Sequence, residues 1–231
     1  MSKITSSFLA KLCVLTPAHE GVGETLTAAM AQLCSMGATW FVCPNGGARD
    51  ECQYPRATVL PLRFPADRPP LLACINQARE VLRLAAVASG AESVLWVDAD
   101  MEPTAATLLS LRASALQGRH VIAPPMRNRH AARELTCAWV VQGGGAEERG
   151  LRQAAPAYRV LPMANPTDGR FVRVDGVGLG CVAHHADLLR RVSFTAGALS
   201  DDVFLSTAAR EQGYDVLVDY GNRVGHAEEG Q

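Results

Sequence analysis

Two aspartates separated by one residue, Asp98 and Asp100, end the segment Val-Leu-Trp-Val-Asp-Ala-Asp-Met at 94–101. Side chains alternate along an extended backbone, so both carboxylates point the same way and can hold one divalent cation. Open α/β sheets bind their ligands beyond the carboxyl ends of their strands, which is where this pair would lie. The spacing therefore predicts a cation site at the edge of a sheet.

Three more ionisable residues, Asp201, Asp202 and His226, stand at predicted ends of elements much later in the chain. Each has an ordinary explanation. Adjacent aspartates cap a helix N-terminus and favour its dipole, and a histidine near a chain end is usually a surface residue. These residues contribute to the chemistry only if the fold brings them beside Asp98 and Asp100.

The segments that must position these residues alternate between strand and helix patterns. Strand patterns occur at 11–16, 39–43, 56–62, 93–98, 120–123, 170–174 and 215–219. Helix patterns, marked by apolar periodicity with Gly or Pro at their ends, occur at 24–36, 71–89, 104–116, 186–192 and 201–212. Such alternation predicts a single-domain α/β fold, with a mostly parallel central sheet and helices on both faces.

One long segment, 126–170, interrupts this alternation with Gly143-Gly144-Gly145 and Asn165-Pro166. A structureless connection of that length is unusual inside a compact domain. We therefore predict an irregular substrate loop or insertion in this segment, together with some strand pairing.

Composition excludes several classes of protein. The 231 residues carry a formal net charge of −1, so no global basic field recruits nucleic acid or an anionic membrane. The local run of basic residues at 112–133 is either a solvated surface or a rim that binds a polyphosphate or an acceptor.

Seven cysteines without a Cys-x-x-Cys pair fit a reducing, cytoplasmic location without zinc. No apolar run predicts a transmembrane helix, and the N-terminus does not resemble a signal peptide.

Taken in order, the acidic and imidazole residues resemble those of the glycosyltransferase-A fold, in particular family-2-like nucleotide-sugar glycosyltransferases. The resemblance rests on Val-Asp-Ala-Asp at 97–100, on the run from Asp-Asp to Tyr-Asp-Val at 201–216, and on Val-Gly-His at 224–226. That family commonly carries Glu-Asp, a helix that ends in Arg-x-x-Gly-Tyr, a strand and Gly-His. Arg210, Gly213 and Tyr214 stand at the corresponding offsets.

This resemblance implies a metal-dependent enzyme that moves a sugar, with inversion, from a nucleoside diphosphate sugar to an acceptor hydroxyl. A UDP-sugar with Mn²⁺ or Mg²⁺ is the expected donor complex. Asp98, Asp100 and His226 would form the metal site, with Asp100 as the direct ligand and Asp98 on the ribose or on a metal-bound water. Asp202 would be the catalytic base, while the role of Asp201 in orienting the acceptor stays open.

The same resemblance assigns the nucleotide contacts to residues of three segments. They are the loop after the first strand, the helix before the Asp-x-Asp strand, and the Asp-x-Asp turn: Thr16, Pro17, His19, Asn76, Arg79, Asp98, Ala99 and Asp100. Two alternatives stay open here, because His19 is equally compatible with a solvent-facing loop, and the polar residues of the helix with an exposed helix surface. The acceptor could be a glycan, a lipid, a protein or a modified nucleic acid.

Several departures and rivals limit the assignment. Asp201 replaces the usual Glu, Phe204 stands where many relatives keep an acidic residue, and the absence of Gln-x-x-Arg-Trp argues against processive synthesis. A haloacid dehalogenase-type phosphatase would carry its Asp-x-Asp after the first strand. It would usually have Thr or Val two positions beyond the second Asp, where this chain has Glu102. The remaining alternatives are a sugar nucleotidyltransferase, although its Gly-rich loop is missing after the first strand, and a catalytically inactive nucleotide-sugar binding module.

Overall fold

The computed structural model describes residues 9–18, 21–44, 54–62, 71–127, 135–142, 157–194 and 200–226. Its strands in chain order are β1 (Leu12–Ala18), β2 (Thr39–Pro44), β3 (Thr58–Val59), β4 (Ser93–Val97), β5 (Met101–Glu102), β6 (His120–Ala123), β7 (Leu135–Gln142), β8 (Ala157–Pro162), β9 (Phe171–Arg173), β10 (Gly176–Val177), β11 (Cys181–His185), β12 (Asp215–Asp219) and β13 (Gly225–His226). Its α-helices are α1 (Glu24–Ser35), α2 (Leu71–Ala88), α3 (Ala105–Leu116) and α4 (Asp201–Glu211), and a 3-10 helix spans Ala186–Arg191.

The central sheet has eight strands in the order β3, β2, β1, β4, β11, β6, β12, β9. Strands β3, β2, β1 and β4 run parallel to one another, and β6 and β12 form a second parallel pair. Strand β11 runs antiparallel to both β4 and β6, so the two parallel groups point the same way. Of the strands described in this sheet, only β11 and the edge strand β9 are reversed, which confirms the predicted mostly parallel α/β fold.

Helices cover the sheet and explain why the residues of β1 and β4 are all buried. Helix α2 packs on β1 and β2 and contacts the 3-10 helix, whereas α3 packs on β4, β6 and β11 and contacts α1. Every residue of β1 and β4 is buried, as expected for parallel strands that are covered on both faces. On α2, Ala78, Leu82 and Ala86 are fully buried at a spacing of four residues and form the face that meets the sheet.

The Arg-x-x-Gly-Tyr sequence forms the turn between α4 and β12. Gly213 adopts a φ of +76°, a left-handed conformation that glycine takes without steric penalty. Its N–H donates to the Arg210 carbonyl at 3.0 Å, and the N–H of Tyr214 donates to the Ala209 carbonyl at 2.9 Å. The helix therefore ends at this glycine, and Tyr214 turns into the core, where it is 3% exposed.

Strand β11 is the main element that the sequence patterns do not predict. No strand is predicted between 174 and the helix at 186–192, yet Cys181–His185 forms a strand between β4 and β6 in the middle of the sheet. Five residues without polar alternation carry no period that separates a buried strand from the start of a helix. The helix itself is a 3-10 helix over Ala186–Arg191.

The described part of 126–170 is more regular than the predicted irregular loop. Strands β7 and β8 form an antiparallel pair, and β10 adds a third strand on the other side of β7. This pairing confirms the predicted strand pairing and replaces much of the expected loop, while 143–156 lies outside the described residues. Within the described ranges, no helix is long and apolar enough to cross a membrane.

Candidate functional site

The Asp-x-Asp turn lies at the carboxyl end of β4, in the middle of the sheet. The backbone N–H of Asp98 donates to the Gly180 carbonyl at 2.8 Å, and the N–H of Met101 donates to the Asp98 carbonyl at 3.1 Å. The first bond ties the turn to the start of β11, and the second closes the turn before β5. The predicted placement of Asp98 at the carboxyl edge of the sheet is therefore confirmed.

Arg79 connects this strand end to the start of helix α4. Its Nη2 donates to Oδ1 of Asp98 at 3.0 Å, and its Nε donates to Oδ2 of Asp201. The guanidinium also lies over the Trp96 ring, 5.3 Å from the ring centroid. Only 3% of the Arg79 side chain is exposed. This residue, predicted as a nucleotide contact, instead forms ion pairs with two carboxylates inside the protein.

Acidic groups outnumber basic groups in this cluster. Three carboxylates, those of Asp98, Asp201 and Asp202, share the charge of one guanidinium, that of Arg79. Burial raises the pKa of Asp98 to about 6; Arg79 opposes the shift, and the charges of Asp201 and Asp100 add to it. The raised pKa shows that Arg79 compensates these carboxylates only in part, although 31% of the Asp98 side chain remains accessible.

Asp202 is held in one orientation at the N-terminus of α4. Its Oδ1 accepts hydrogen bonds from the Ser200 hydroxyl and from the backbone N–H of Val203, the latter at 2.7 Å. Among the described residues, no hydrogen bond reaches the other oxygen, Oδ2. Burial raises the pKa of Asp202 and the charge of Asp201 adds to this, while the two hydrogen bonds and Arg79 act in the opposite direction. A carboxylate with one fixed and one available oxygen is suited to accept a proton.

His226 reaches the same edge of the sheet through a short strand pair. Strand β13 pairs antiparallel with β5, so that His226 lies opposite Met101, the residue that follows Asp100. Within the described ranges, however, no group of three or more His, Cys, Asp or Glu side chains is close enough to hold a metal ion. The pairing brings His226 to the strand that begins at the Asp-x-Asp turn, and its metal-binding role with Asp98 and Asp100 stays a prediction.

The first strand and its loop meet the other side of the turn. Thr16 is completely buried, and its hydroxyl accepts a hydrogen bond from the Trp40 indole at 3.0 Å. The side chain predicted to contact a nucleotide base therefore belongs to the core in this conformation, as does the buried Pro17. The carbonyl of Ala99 accepts from the N–H of Gly23 at 3.2 Å, which joins this loop to the Asp-x-Asp turn. His19 lies outside the described residues.

Asn76, one turn before Arg79 on α2, is 8% exposed. Its Oδ1 and the Nη1 of Arg79 are buried and have no hydrogen-bond partner in the described part of the chain. Unsatisfied buried polar atoms are unfavourable and are rare outside sites that bind something. The predicted role of Asn76 in nucleotide binding is compatible with this position.

Gly180, Ser200 and Cys137 also shape the cluster, and sequence reasoning missed Ser200 and Cys137. A Cβ built on Gly180 would lie 3.2 Å from the Met101 sulfur, a tight contact, and 3.8 Å from Oδ2 of Asp98, an ordinary one. Burial raises the pKa of Cys137 to about 11, with further contributions from the charges of Asp202 and Asp98, so this neighbouring thiol is neutral. Ser200 alone had a local signal, since Ser directly before an acidic first turn is typical of an N-cap.

The basic run at 112–133 does not form one continuous surface in the described part. Arg112 is 5% exposed and donates to the Ser93 hydroxyl at 2.8 Å inside the protein. Arg119 lies over the Tyr214 ring, 4.6 Å from its centroid. Residues 128–134 lie outside the described ranges. Arg112 is therefore buried away from any such rim, whereas Arg119 is exposed and remains a member of it.

No protein family and no curated protein matches this chain. Among solved structures, a mannose-1-phosphate geranyltransferase from Thermus thermophilus is similar at 14% identity, with a TM-score of 0.48 over 93% of this chain and 75% of that one. The 2-C-methyl-D-erythritol 4-phosphate cytidylyltransferase of the same organism is 15% identical, with a TM-score of 0.48 over 90% and 89% of the two chains.

The inositol-1-phosphate CTP transferase from T. maritima is 11% identical to this chain, with a TM-score of 0.48 over 94% of it and 88% of that protein. Values this low describe a distant likeness of fold. The chemistry of the site must therefore be derived from its own residues.

Proposed function

We propose that the protein is a metal-dependent glycosyltransferase, which moves a sugar from a nucleoside diphosphate sugar to an acceptor hydroxyl with inversion. The observation that carries this proposal is the Arg79 bridge. It brings Asp98, at the carboxyl end of β4, together with Asp201, at the N-terminus of α4. Donor-side and acceptor-side carboxylates that are about 100 residues apart in sequence thus belong to one cluster.

A divalent cation fits the charge of this cluster. Three carboxylates against one guanidinium leave an excess of negative charge, to which the charge of Asp100 adds, and carboxylate and imidazole donors suit Mn²⁺. Asp98, Asp100 and His226 would hold the ion, and it would stabilise the negative charge that develops on the departing diphosphate. A UDP-sugar is the proposed donor, and its contacts fall to Asn76 and Ala99, while Thr16, Pro17 and His19 stay predictions from the sequence.

Asp202 would act as the general base. As the acceptor oxygen forms its bond to the anomeric carbon, the proton of that hydroxyl passes to Asp202. The bond from the anomeric carbon to the diphosphate oxygen breaks at the same time, and the nucleoside diphosphate leaves with the electron pair. The hydrogen bonds from Ser200 and Val203 hold Oδ1, so Oδ2 would receive the proton.

Binding and turnover test this proposal separately. Calorimetry with UDP and Mn²⁺ should show Mn²⁺-dependent nucleotide binding, and Asp100→Ala should abolish it. The matched control is Asp168→Ala, because Asp168 is an exposed aspartate outside the cluster. Normal binding by Asp100→Ala would refute the metal assignment.

A panel of nucleotide sugars with Mn²⁺ then identifies the reaction by the product released. Release of nucleoside diphosphate from a UDP-sugar supports glycosyl transfer. Formation of pyrophosphate from CTP or UTP with a sugar phosphate would instead identify a sugar nucleotidyltransferase. Binding without any turnover would identify a catalytically inactive nucleotide-sugar binding module.

A further inference from the structure

The planar guanidinium of Arg79 is divided between two carboxylates. Nη2 binds only Oδ1 of Asp98, while Nε binds Oδ2 of Asp201. An arginine beside a single carboxylate usually forms two parallel hydrogen bonds to it, which occupy both oxygens. Here Asp201 takes Nε, so the two carboxylates share the Nε–Nη2 edge of the guanidinium, and within the described residues no hydrogen bond reaches Oδ2 of Asp98.

Burial makes this arrangement consequential. Arg79 is 3% exposed, and no other Lys or Arg in the described part of the chain forms an ion pair with Asp98 or Asp201. Its remaining nitrogen, Nη1, is buried without a hydrogen-bond partner among those residues. In such an environment charges are weakly screened, so the position of one guanidinium strongly affects the charge that each carboxylate can offer to a ligand.

We propose that Arg79 is a positioning residue that acts as an internal counter-cation and sets the affinity of Asp98 for a divalent cation. By holding Asp98 through one oxygen, it orients the carboxylate and leaves Oδ2 for the ion. Asp201 also contributes, because by binding Nε it prevents Arg79 from hydrogen-bonding both oxygens of Asp98. The inference rests on the proposed metal-dependent function and deepens it.

The test measures Mn²⁺ binding to the purified protein in the absence of nucleotide, by calorimetry or by electron paramagnetic resonance. Arg79→Gln removes the competing charge and should tighten Mn²⁺ binding by about tenfold or more. Arg83→Gln is the matched control, because Arg83 lies one turn later on α2 and contacts Glu80 and the Leu189 carbonyl. It should bind Mn²⁺ like the wild type.

Asp201→Asn should weaken Mn²⁺ binding by about tenfold, since Arg79 is then free to occupy both oxygens of Asp98. In the double variant Arg79→Gln/Asp201→Asn, the loss caused by Asp201→Asn should be much smaller. A purely structural or long-range effect of Asp201 would instead produce the same loss in both backgrounds.

Two results would overturn the inference: Mn²⁺ affinity in Arg79→Gln at or below that of the wild type, or additive effects in the double-variant cycle. If Arg79→Gln is not recovered folded, Arg79→Met replaces it, because it also removes the charge and keeps a long unbranched side chain. It should also bind Mn²⁺ several-fold more tightly, and an unchanged affinity would overturn the inference. Failure of the wild type to bind Mn²⁺ would instead refute the proposed metal dependence.

Discussion

Nη2 of Arg79 lies 3.0 Å from Oδ1 of Asp98, and this contact joins helix α2 to the end of the central strand β4. The pair does not neutralise the cluster, because the pKa of Asp98 is still raised to about 6 by burial and by its acidic neighbours. The protein thus keeps a carboxylate in a place where its ionisation is unfavourable. Such a group is more readily explained by ligand binding than by stability.

Asp98→Asn should therefore stabilise the fold at pH 8 while removing Mn²⁺ binding. Because the folded-state pKa of Asp98 is raised from 3.8 to about 6, the folded state holds its proton more tightly, and stability is lost as pH rises through that range. The variant and the wild type should have equal stability below about pH 4, and the variant should gain about 1–2 kcal/mol at pH 8. Urea denaturation at the two pH values measures the difference.

The control for that prediction is Asp187→Asn, which should change the stability of the fold at pH 8 in the opposite direction. The hydrogen bond from Tyr214 and the neighbouring His185 hold the pKa of Asp187 below its usual value, against a burial effect that raises it. Its ionisation therefore stabilises the fold, so the variant should lose stability at pH 8. If Asp98→Asn also lost stability at pH 8, this would contradict the prediction that the ionised Asp98 carboxylate destabilises the fold.

Asp202→Asn should keep donor binding and lose sugar transfer, because the amide cannot accept the acceptor's proton. In the wild type, kcat/KM should fall as pH decreases, with an inflection above the ordinary aspartate pKa, since burial raises the pKa of Asp202. Ser200→Ala should move the inflection further upward, because the Ser200 hydrogen bond lowers that pKa. A pH profile of the transfer rate checks both effects. Normal transfer by Asp202→Asn would show that another group is the base.

Stability should also fall in mild acid because of His184, which is fully buried between β4 and β6. The Trp96 indole donates to its Nε2 at 3.0 Å, so Nδ1 carries the proton and donates to the His185 carbonyl. Burial lowers the pKa of His184 to about 4. The unfolded chain therefore binds a proton that the folded protein excludes, and stability decreases as pH falls from 6.5 to about 4.

The total loss should approach about 3 kcal/mol for a shift of this size. Unfolding experiments between neutral pH and about pH 4 measure it. His184→Gln serves as the comparison, because its amide oxygen can still accept from Trp96 and does not titrate in this range. Equal pH dependence in both proteins would contradict the assignment.

Two glycines beside the site should respond differently to alanine. A Cβ at Gly178 would lie 2.8 Å from the Cβ of Cys137, a rigid neighbour, whereas at Gly180 the nearest atoms are the Met101 and Met126 sulfurs at 3.2 and 3.4 Å. Overpacking of this kind costs about 1–3 kcal/mol. Gly178→Ala should therefore be the more destabilising change in thermal unfolding. Gly180→Ala should leave the fold nearly intact and keep Mn²⁺ binding, since its Cβ would lie at an ordinary contact distance of 3.8 Å from Oδ2 of Asp98.

The sequence alone determined the elements whose periodicity is strong. The apolar runs of β1 and β4, the four-residue spacing on α2 and the glycine at the end of α4 predict their elements, because each pattern is local to one element. For the same reason the position of Asp98 at a strand end and of Asp201 and Asp202 at a helix start could be predicted. The family resemblance added the order of the acidic groups.

Only the tertiary structure decided which of these groups meet. Strand β11 has no periodic signal, yet its insertion between β4 and β6 brings Gly180 beside Asp98. The buried position of Arg79 between Asp98 and Asp201 depends on contacts across 19 and 122 residues, which no local pattern encodes. Thr16 likewise lies in the core on the buried strand β1, and Trp40, 24 residues away, donates a hydrogen bond to its hydroxyl. Long-range packing and burial set these partners, and they determine the charge of the site.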